Sequence, residues 1–72
     1  MEVDLDKDGK GALYIDEGGK RIAEMLIGIN GKTLIVFNCH GQWKKLLHEL
    51  MKYAQKHQLK VMQHCVYQPL KD

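Results

Sequence analysis

The chain has 72 residues, which leaves room for one domain over residues 1–72, with a core so modest that a homodimer is a reasonable expectation. Its 11 basic and 9 acidic residues give a formal net charge of +2, which argues against a nucleic-acid partner or an electrostatic attachment to a membrane. No apolar run is long enough to span a bilayer, and the first residues are acidic where a signal peptide is basic, so we expect a cytoplasmic protein with reduced cysteines.

The first half of the chain predicts an antiparallel run of strands. Runs of β-forming residues alternate with turn signals, of which Glu17-Gly18-Gly19 and Asn30-Gly31 are suited to tight hairpins. The apolar run over residues 33–37 is typical of a central strand that is covered on both faces. The expected strands are residues 2–6, 10–16, 21–29 and 33–38.

The apolar spacing becomes helical at Trp43 and predicts a helix over residues 42–58. A last strand over residues 60–66 then completes a β-α-β unit, in which the two strands run parallel. The chain is therefore expected to be an α+β domain with the order β-β-β-β-α-β. The apolar stripe of the helix consists of Trp43, Leu46, Leu47, Leu50, Met51 and Ala54.

The carboxyl ends of the two parallel strands meet the start of the helix at one edge of the sheet. Ligands of open α/β sheets tend to bind at such an edge, and the backbone N–H groups of Gly41, Gln42 and Trp43 would suit an anion. Lys44 and Lys45 lie in the first turn, where cations oppose the helix dipole. An anion bound at the helix start would offset this unfavourable placement of two cations, so the pattern favours an anion nearby.

Two patterns imitate metal sites. Residues 4–11 resemble the start of an EF-hand calcium loop, but Ile15 stands where that loop needs a bidentate glutamate. Cys39-His40 and His64-Cys65 supply zinc-type ligands, yet neighbours on a strand point to opposite faces and the spacing is not that of a zinc site. We expect no metal site, and interpret these residues as a solvated turn, packed thiols and surface imidazoles.

Several segments together resemble the short single-domain N-acetyltransferase-like proteins of the GNAT superfamily, and the resemblance covers most of the chain. It implies acetyl-coenzyme A as cofactor and an amine, on a small molecule or a protein, as acceptor. The final motif is similar to the cysteine-proline-tyrosine pattern of these proteins, with valine in place of proline. The segments are Gly11-Ala12-Leu13-Tyr14-Ile15, Gly19-Lys20-Arg21-Ile22-Ala23-Glu24-Met25, Lys44-Lys45-Leu46-Leu47, Tyr53-Ala54, Leu59-Lys60-Val61 and Cys65-Val66-Tyr67.

The resemblance also implies a site. Its members hold the pantetheine arm where the two parallel strands splay and the pyrophosphate at the helix start. Cys65 would then be acyl acceptor or proton donor to the departing thiolate, Tyr67 the alternative donor and His40 the base. The implied cofactor-binding residues are Val36, Phe37 and Asn38 along the arm, and Gly41, Gln42, Trp43 and Lys44 at the pyrophosphate.

One segment departs from the pattern. Between Phe37 and the helix the chain has only Asn38-Cys39-His40-Gly41-Gln42, where the GNAT-like proteins have a longer loop and a Gly-x-Gly phosphate turn. Trp43 also stands where a small residue would let backbone approach a phosphate, and is better explained as core. Two functions therefore stay open: an acetyl-coenzyme A-dependent N-acetyltransferase-like protein, or a non-enzymatic shortened scaffold that acts as a dimerising or protein-interaction module.

Overall fold

A computed structural model describes the backbone of residues 1–68 and the side chains of residues 1–63. It is a small α+β fold with one five-stranded sheet and one helix, and the predicted order of elements is confirmed. The strands lie in the order β1-β2-β3-β4-β5, antiparallel except for the parallel pair β4 and β5. The elements are β1 (Glu2–Leu5), β2 (Lys10–Glu17), β3 (Lys20–Asn30), β4 (Thr33–Gly41), α1 (Trp43–Lys56) and β5 (Lys60–Gln68).

Both predicted hairpins form, although the second turns at Gly31-Lys32 and not at the predicted Asn30-Gly31. Gly18 and Gly19 both have positive φ, at 58° and 77°, and join β2 to β3, as a two-residue hairpin of right-handed twist requires. In the next hairpin, Asn30 still belongs to β3 and pairs with Thr33. Gly31, with φ of 60°, therefore supplies the positive φ of that turn.

The β-α-β unit is confirmed. Leu34 of β4 lies opposite Val61 of β5 in a parallel register. Helix α1 is shorter than the predicted 42–58, because Gln58 takes a positive φ of 55° and the Leu59 N–H donates to the Ala54 carbonyl. Within the part of the chain that the structure describes, no helix has the length and apolar character needed to cross a bilayer.

The core lies between α1 and one face of the sheet. Leu46, Leu50 and Ala54 of the helix are buried, whereas Met51 is 52% exposed. The prediction that Met51 belongs to the apolar stripe is therefore wrong, because the helix turns this side chain away from the sheet. Trp43 is partly buried and packs against the core, as expected. The strand residues of the core are Leu13, Ala23, Met25, Ile27, Leu34, Val36 and Cys39.

The opposite face of the sheet carries no covering element among residues 1–68, and we call it the open face. Because side chains alternate along a strand, residues that neighbour core positions project there. Phe37 is 47% exposed and Leu26 36%. The prediction that β4 is covered on both faces is therefore wrong, since the helix covers one face alone. The open face includes Glu2, Asp4, Ala12, Tyr14, Glu24, Leu26, Gly28, Ile35, Phe37, His40, Lys60 and Met62.

A β-bulge interrupts the middle of β4. Ile27 pairs with Val36 but Leu26 pairs with Asn38, so Phe37 is an extra residue against β3. The register between β4 and β5 shifts at the same point. The bulge aims Phe37 at the backbone of Gly28 on the open face.

Candidate functional site

Two of the residues expected along a pantetheine arm project from opposite faces of β4. Val36 is buried in the core, and Phe37 projects from the open face. Strands β4 and β5 are paired from Thr33 with Lys60 to His40 with Gln68, with a single shift at Phe37. The ladder is interrupted between Val36 and Asn38, and Asn38 pairs with Leu26 on one side and with Val66 on the other.

The residues expected to hold an anion lie together at the helix start. Gly41 ends β4 with φ of 69°, and a shallow cavity of about 370 Å³ is lined by Gly41, Gln42, Trp43, Lys44 and Lys45. The helix has no side-chain cap and no acidic residue in its first turn. The backbone N–H of Gln42, however, donates to the Ile22 carbonyl at 2.8 Å. The expectation that this N–H is available to a ligand is wrong, because it ties the helix start to β3.

The two lysines at the helix start are exposed, and one of them is paired. Lys45 Nζ lies 3.5 Å from a Glu17 carboxylate oxygen. Lys44 Nζ lies 6.0 Å from the centroid of the Trp43 ring. Solvent screens charges at such exposed positions, so an anion here would be held weakly.

The expected catalytic residues are only partly described. His40 lies on the open face opposite Glu24 in the register, whereas its neighbour Cys39 is buried in the core. The side chains of Cys65 and Tyr67 lie outside the described residues. Glu24 is thus the cross-strand neighbour of His40, and its carboxylate is bound by Arg21.

The acidic turn after β1 is held by its own carboxylate. Asp6 Oδ1 accepts the backbone N–H groups of Asp8 and Lys10, both at 2.9 Å. Among the described residues, no three histidine, cysteine, aspartate or glutamate side chains come close enough to share a metal ion. Cys39 and His40 project from opposite faces, and so cannot ligate one ion together.

The sequence interpretation missed a polar cluster on the open face. The Arg21 guanidinium lies 3.7 Å from the centroid of the Tyr14 ring, and it donates to Glu24 at 2.5 Å and to Asp16 at 3.4 Å. The bond to Glu24 chiefly, with the weaker one to Asp16, raises the pKa of Arg21 above its ordinary value. Arginine is a cation at any ordinary pH, so Arg21 and the two carboxylates form ion pairs at this end of the open face.

An apolar patch next to this cluster was also missed. Ile35 lies opposite Met62, which is 40% exposed, and the bulge brings Phe37 beside them. Leu26 adjoins them on β3. The available signal was the alternation in β4, where Ile35 and Phe37 flank the core residue Val36. We call Leu26, Ile35, Phe37 and Met62 the apolar patch.

Comparisons of the chain with models of known protein families, with curated proteins and with solved structures find no match.

Proposed function

We propose that the chain is a non-enzymatic module, a shortened GNAT-like scaffold that associates with a second copy of itself through the open face. The observation that carries this proposal is the apolar patch, at whose centre Phe37 is 47% exposed. Self-association would hide the patch from water, which is the main driving force of most protein association.

The composition of the open face supports a binding role over a simply solvated one. An antiparallel sheet that faces water on one side alternates apolar residues inward and polar residues outward. Here the outward positions include Leu26, Ile35, Phe37 and Met62, and polar residues such as Glu24 and Asn38 lie beside them. Apolar residues that adjoin polar ones in an exposed patch are common at interaction sites.

The size of the face is adequate for a dimer of modest affinity. The molecule measures 35 by 22 by 22 Å, so the sheet offers at most 35 by 22 Å, close to the ~800 Å² that each partner contributes to an interface of standard size. A two-fold dimer brings the same patch of both copies together. It would also enlarge the small core of a domain this short.

The pairing of β4 with β5 also favours the non-enzymatic module over an N-acetyltransferase. Because β4 and β5 are paired on both sides of the register shift at Phe37, a pantetheine arm would first have to separate them. The missing loop before α1 removes the backbone that would cradle a phosphate.

Sedimentation velocity over a wide range of protein concentration tests the proposal. We expect a concentration-dependent dimer for the unchanged chain, and loss of that dimer in Phe37→Lys, which places a charge in the apolar patch. Met51→Lys is the matched control, because Met51 is as exposed as Phe37 but lies on the outer side of α1. A chain that stays monomeric at millimolar concentration contradicts the proposal, as does equal dimerisation of both variants.

The second candidate is an acetyl-coenzyme A-dependent N-acetyltransferase-like protein. The cavity at Gly41 to Lys45, without acidic residues in the first turn of α1, is the observation that favours it. Calorimetry with acetyl-coenzyme A tests it, with Lys44→Glu as the variant and Lys52→Glu as the control on the same helix. Saturable binding that Lys44→Glu alone weakens would favour this candidate over the module. Absence of binding at millimolar ligand would reject it.

A further inference from the structure

Strand β1 is an edge of the sheet that no other described element covers. It pairs with β2 alone, and α1 packs against the other four strands but not against β1. Val3 is therefore 42% exposed, although its cross-strand partner Leu13 is fully buried in the core. Glu2 and Asp4, on the open face, are exposed as well. One edge and most of both faces of β1 are thus accessible to a partner.

The backbone groups at this edge belong to Val3 and Leu5. The Asp6 N–H donates to the Lys10 carbonyl at 2.8 Å, so the Asp6 backbone points towards β2. Because this direction alternates along an antiparallel strand, the backbone of Asp4 also points to β2, while the N–H and C=O groups of Val3 and Leu5 point away from the sheet. An antiparallel strand added at this edge would bond to these groups.

The carboxylates of Glu2 and Asp4 have no cationic partner in the described part of the chain. They differ in this from Glu24 on the same face, whose carboxylate is bound by Arg21. In an added antiparallel strand, the residues opposite Glu2 and Asp4 would share their face and form non-hydrogen-bonded pairs, in which side chains lie closest. Basic side chains at these positions would therefore meet two unpaired carboxylates.

The alternate residues of an added strand would lie on the helix side of the sheet. The residue opposite Val3 would cover this half-exposed apolar side chain. On the same side, Met1, which is 37% exposed, and Ile15 help to line a cavity of about 480 Å³ that extends to the helix residue Glu49. Apolar side chains at the alternate positions would remove this apolar surface from water.

We infer that β1 binds an extended segment of another protein in which basic and apolar residues alternate, and that this segment joins the five-stranded sheet as an added antiparallel strand. Backbone hydrogen bonds supply the affinity of such an addition, and the alternating side chains select the partner. The dimer proposed above is not required, because its apolar patch lies on β3, β4 and β5.

A second copy of the chain is a poorer occupant of this edge. If β1 paired with β1 of another copy about a two-fold axis, Glu2 and Asp4 of both copies would lie side by side on one face. Like charges directly opposite each other destabilise a strand pair, and charged residues on an edge strand act against its pairing with a copy of itself. The same carboxylates favour a basic partner.

Titration of the unchanged chain with short peptides, followed by the NMR signals of its backbone amides, tests the inference. The probe is a peptide of alternating lysine and valine with blocked ends. We expect it to shift the amide signals of Val3 and Leu5 and to slow their hydrogen exchange. A peptide of alternating glutamate and valine keeps the apolar positions and reverses the charge, so it should bind at least about tenfold more weakly at low ionic strength.

Methylated backbone nitrogens in the lysine-valine peptide separate strand addition from simple charge attraction. The valines would lie opposite Val3 and Leu5, so their N–H groups would donate to β1, whereas the lysine N–H groups would point away. N-methylation of the valines should therefore abolish binding. N-methylation of the lysines, which adds the same groups and keeps the same charge, should preserve most of it.

A matched pair of variants tests the acidic side of the edge. Asp4→Asn should weaken binding of the lysine-valine peptide about threefold. Asp8→Asn makes the same change in the exposed turn after β1 and should leave the affinity unchanged. Should a variant unfold, the peptide series still decides.

Four outcomes would overturn the inference. They are no shift of the Val3 and Leu5 amides at millimolar lysine-valine peptide, equal binding of the glutamate peptide, undiminished binding after N-methylation of the valines, and protection of these amides that grows with protein concentration in the absence of peptide. In the last case a second copy would occupy the edge.

Discussion

The Phe37 ring lies against the backbone of Gly28 on the open face of the sheet. A Cβ atom added at Gly28 would stand 3.0 Å from Phe37 Cε2 and 3.9 Å from Lys10 Cγ. Gly28 is buried even though no other element covers this face in the described chain. The bulge in β4 therefore places a ring that is 47% exposed over a residue that has no side chain.

Gly28→Ala should change the free energy of unfolding by less than about 1 kcal/mol. The added methyl group gains the lower backbone entropy of alanine in the unfolded chain, and it has to displace only the end of a half-exposed side chain. Urea unfolding measures the difference. A loss well beyond that limit would mean that the Phe37 ring is held in place by contacts other than those described.

Gly11→Ala should be much worse, although Gly11 is also a strand glycine without positive φ. A Cβ atom there would stand 1.9 Å from the Asp4 carbonyl oxygen, which is backbone of the paired strand β1 and cannot turn aside. We expect a loss of about 1 to 3 kcal/mol and faster hydrogen exchange of the β1 amides. Gly28→Ala is its control, and equal stability of the two variants would contradict the close approach of β1 to β2.

The elements that could be predicted from sequence depend on local signals. Glycines with positive φ mark the hairpins at Gly18-Gly19 and Gly31, and the spacing of Leu46, Leu50 and Ala54 marks the buried side of α1. The hairpin glycines follow from backbone sterics, and the buried side of α1 follows from the apolar spacing within that helix. The parallel pairing of β4 with β5 then follows from the need to bury that helix.

The features that could not be predicted depend on contacts between elements that are distant in the sequence. The apolar run around Phe37 has the same sequence pattern whether its outer face is covered by a second layer or by water. Likewise, the Gln42 N–H is taken by Ile22 of β3, and no local pattern around the helix start indicates this bond. The grouping of residues 41–45 at the helix start could therefore be predicted, whereas the hydrogen bond of the Gln42 N–H and the open face could not.

Leu50→Ala should unfold most of the protein at room temperature. Leu50 is fully buried between α1 and the sheet, and such a truncation costs about 2 to 5 kcal/mol. A core of this size supplies only about 3 to 5 kcal/mol in total. Thermal unfolding followed by circular dichroism measures the loss. Met51→Ala, one position along the same helix, should stay within about 0.5 kcal/mol of the unchanged chain. A similar loss in both variants would mean that Met51 also faces the sheet, and that α1 is rotated about its axis from the orientation described.

Cys39 should react with thiol reagents only when the protein unfolds. Its side chain is 2% exposed and belongs to the core beneath α1, and a reagent needs access to the thiolate. Cys65→Ser leaves Cys39 as the one thiol of the chain. An aromatic disulfide reagent, which releases an absorbing thiolate when a thiol attacks it, then measures the reaction of Cys39 alone. We expect the native rate to be at least about 100-fold below the rate in denaturant, since opening of a core position is limited by unfolding. The double variant Cys65→Ser with Leu50→Ala should restore fast reaction, because it exposes the same thiol without changing the residues on either side of it. Fast reaction of folded Cys65→Ser would mean that β4 opens locally, and that the close pairing which argues against a pantetheine slot is not maintained in solution.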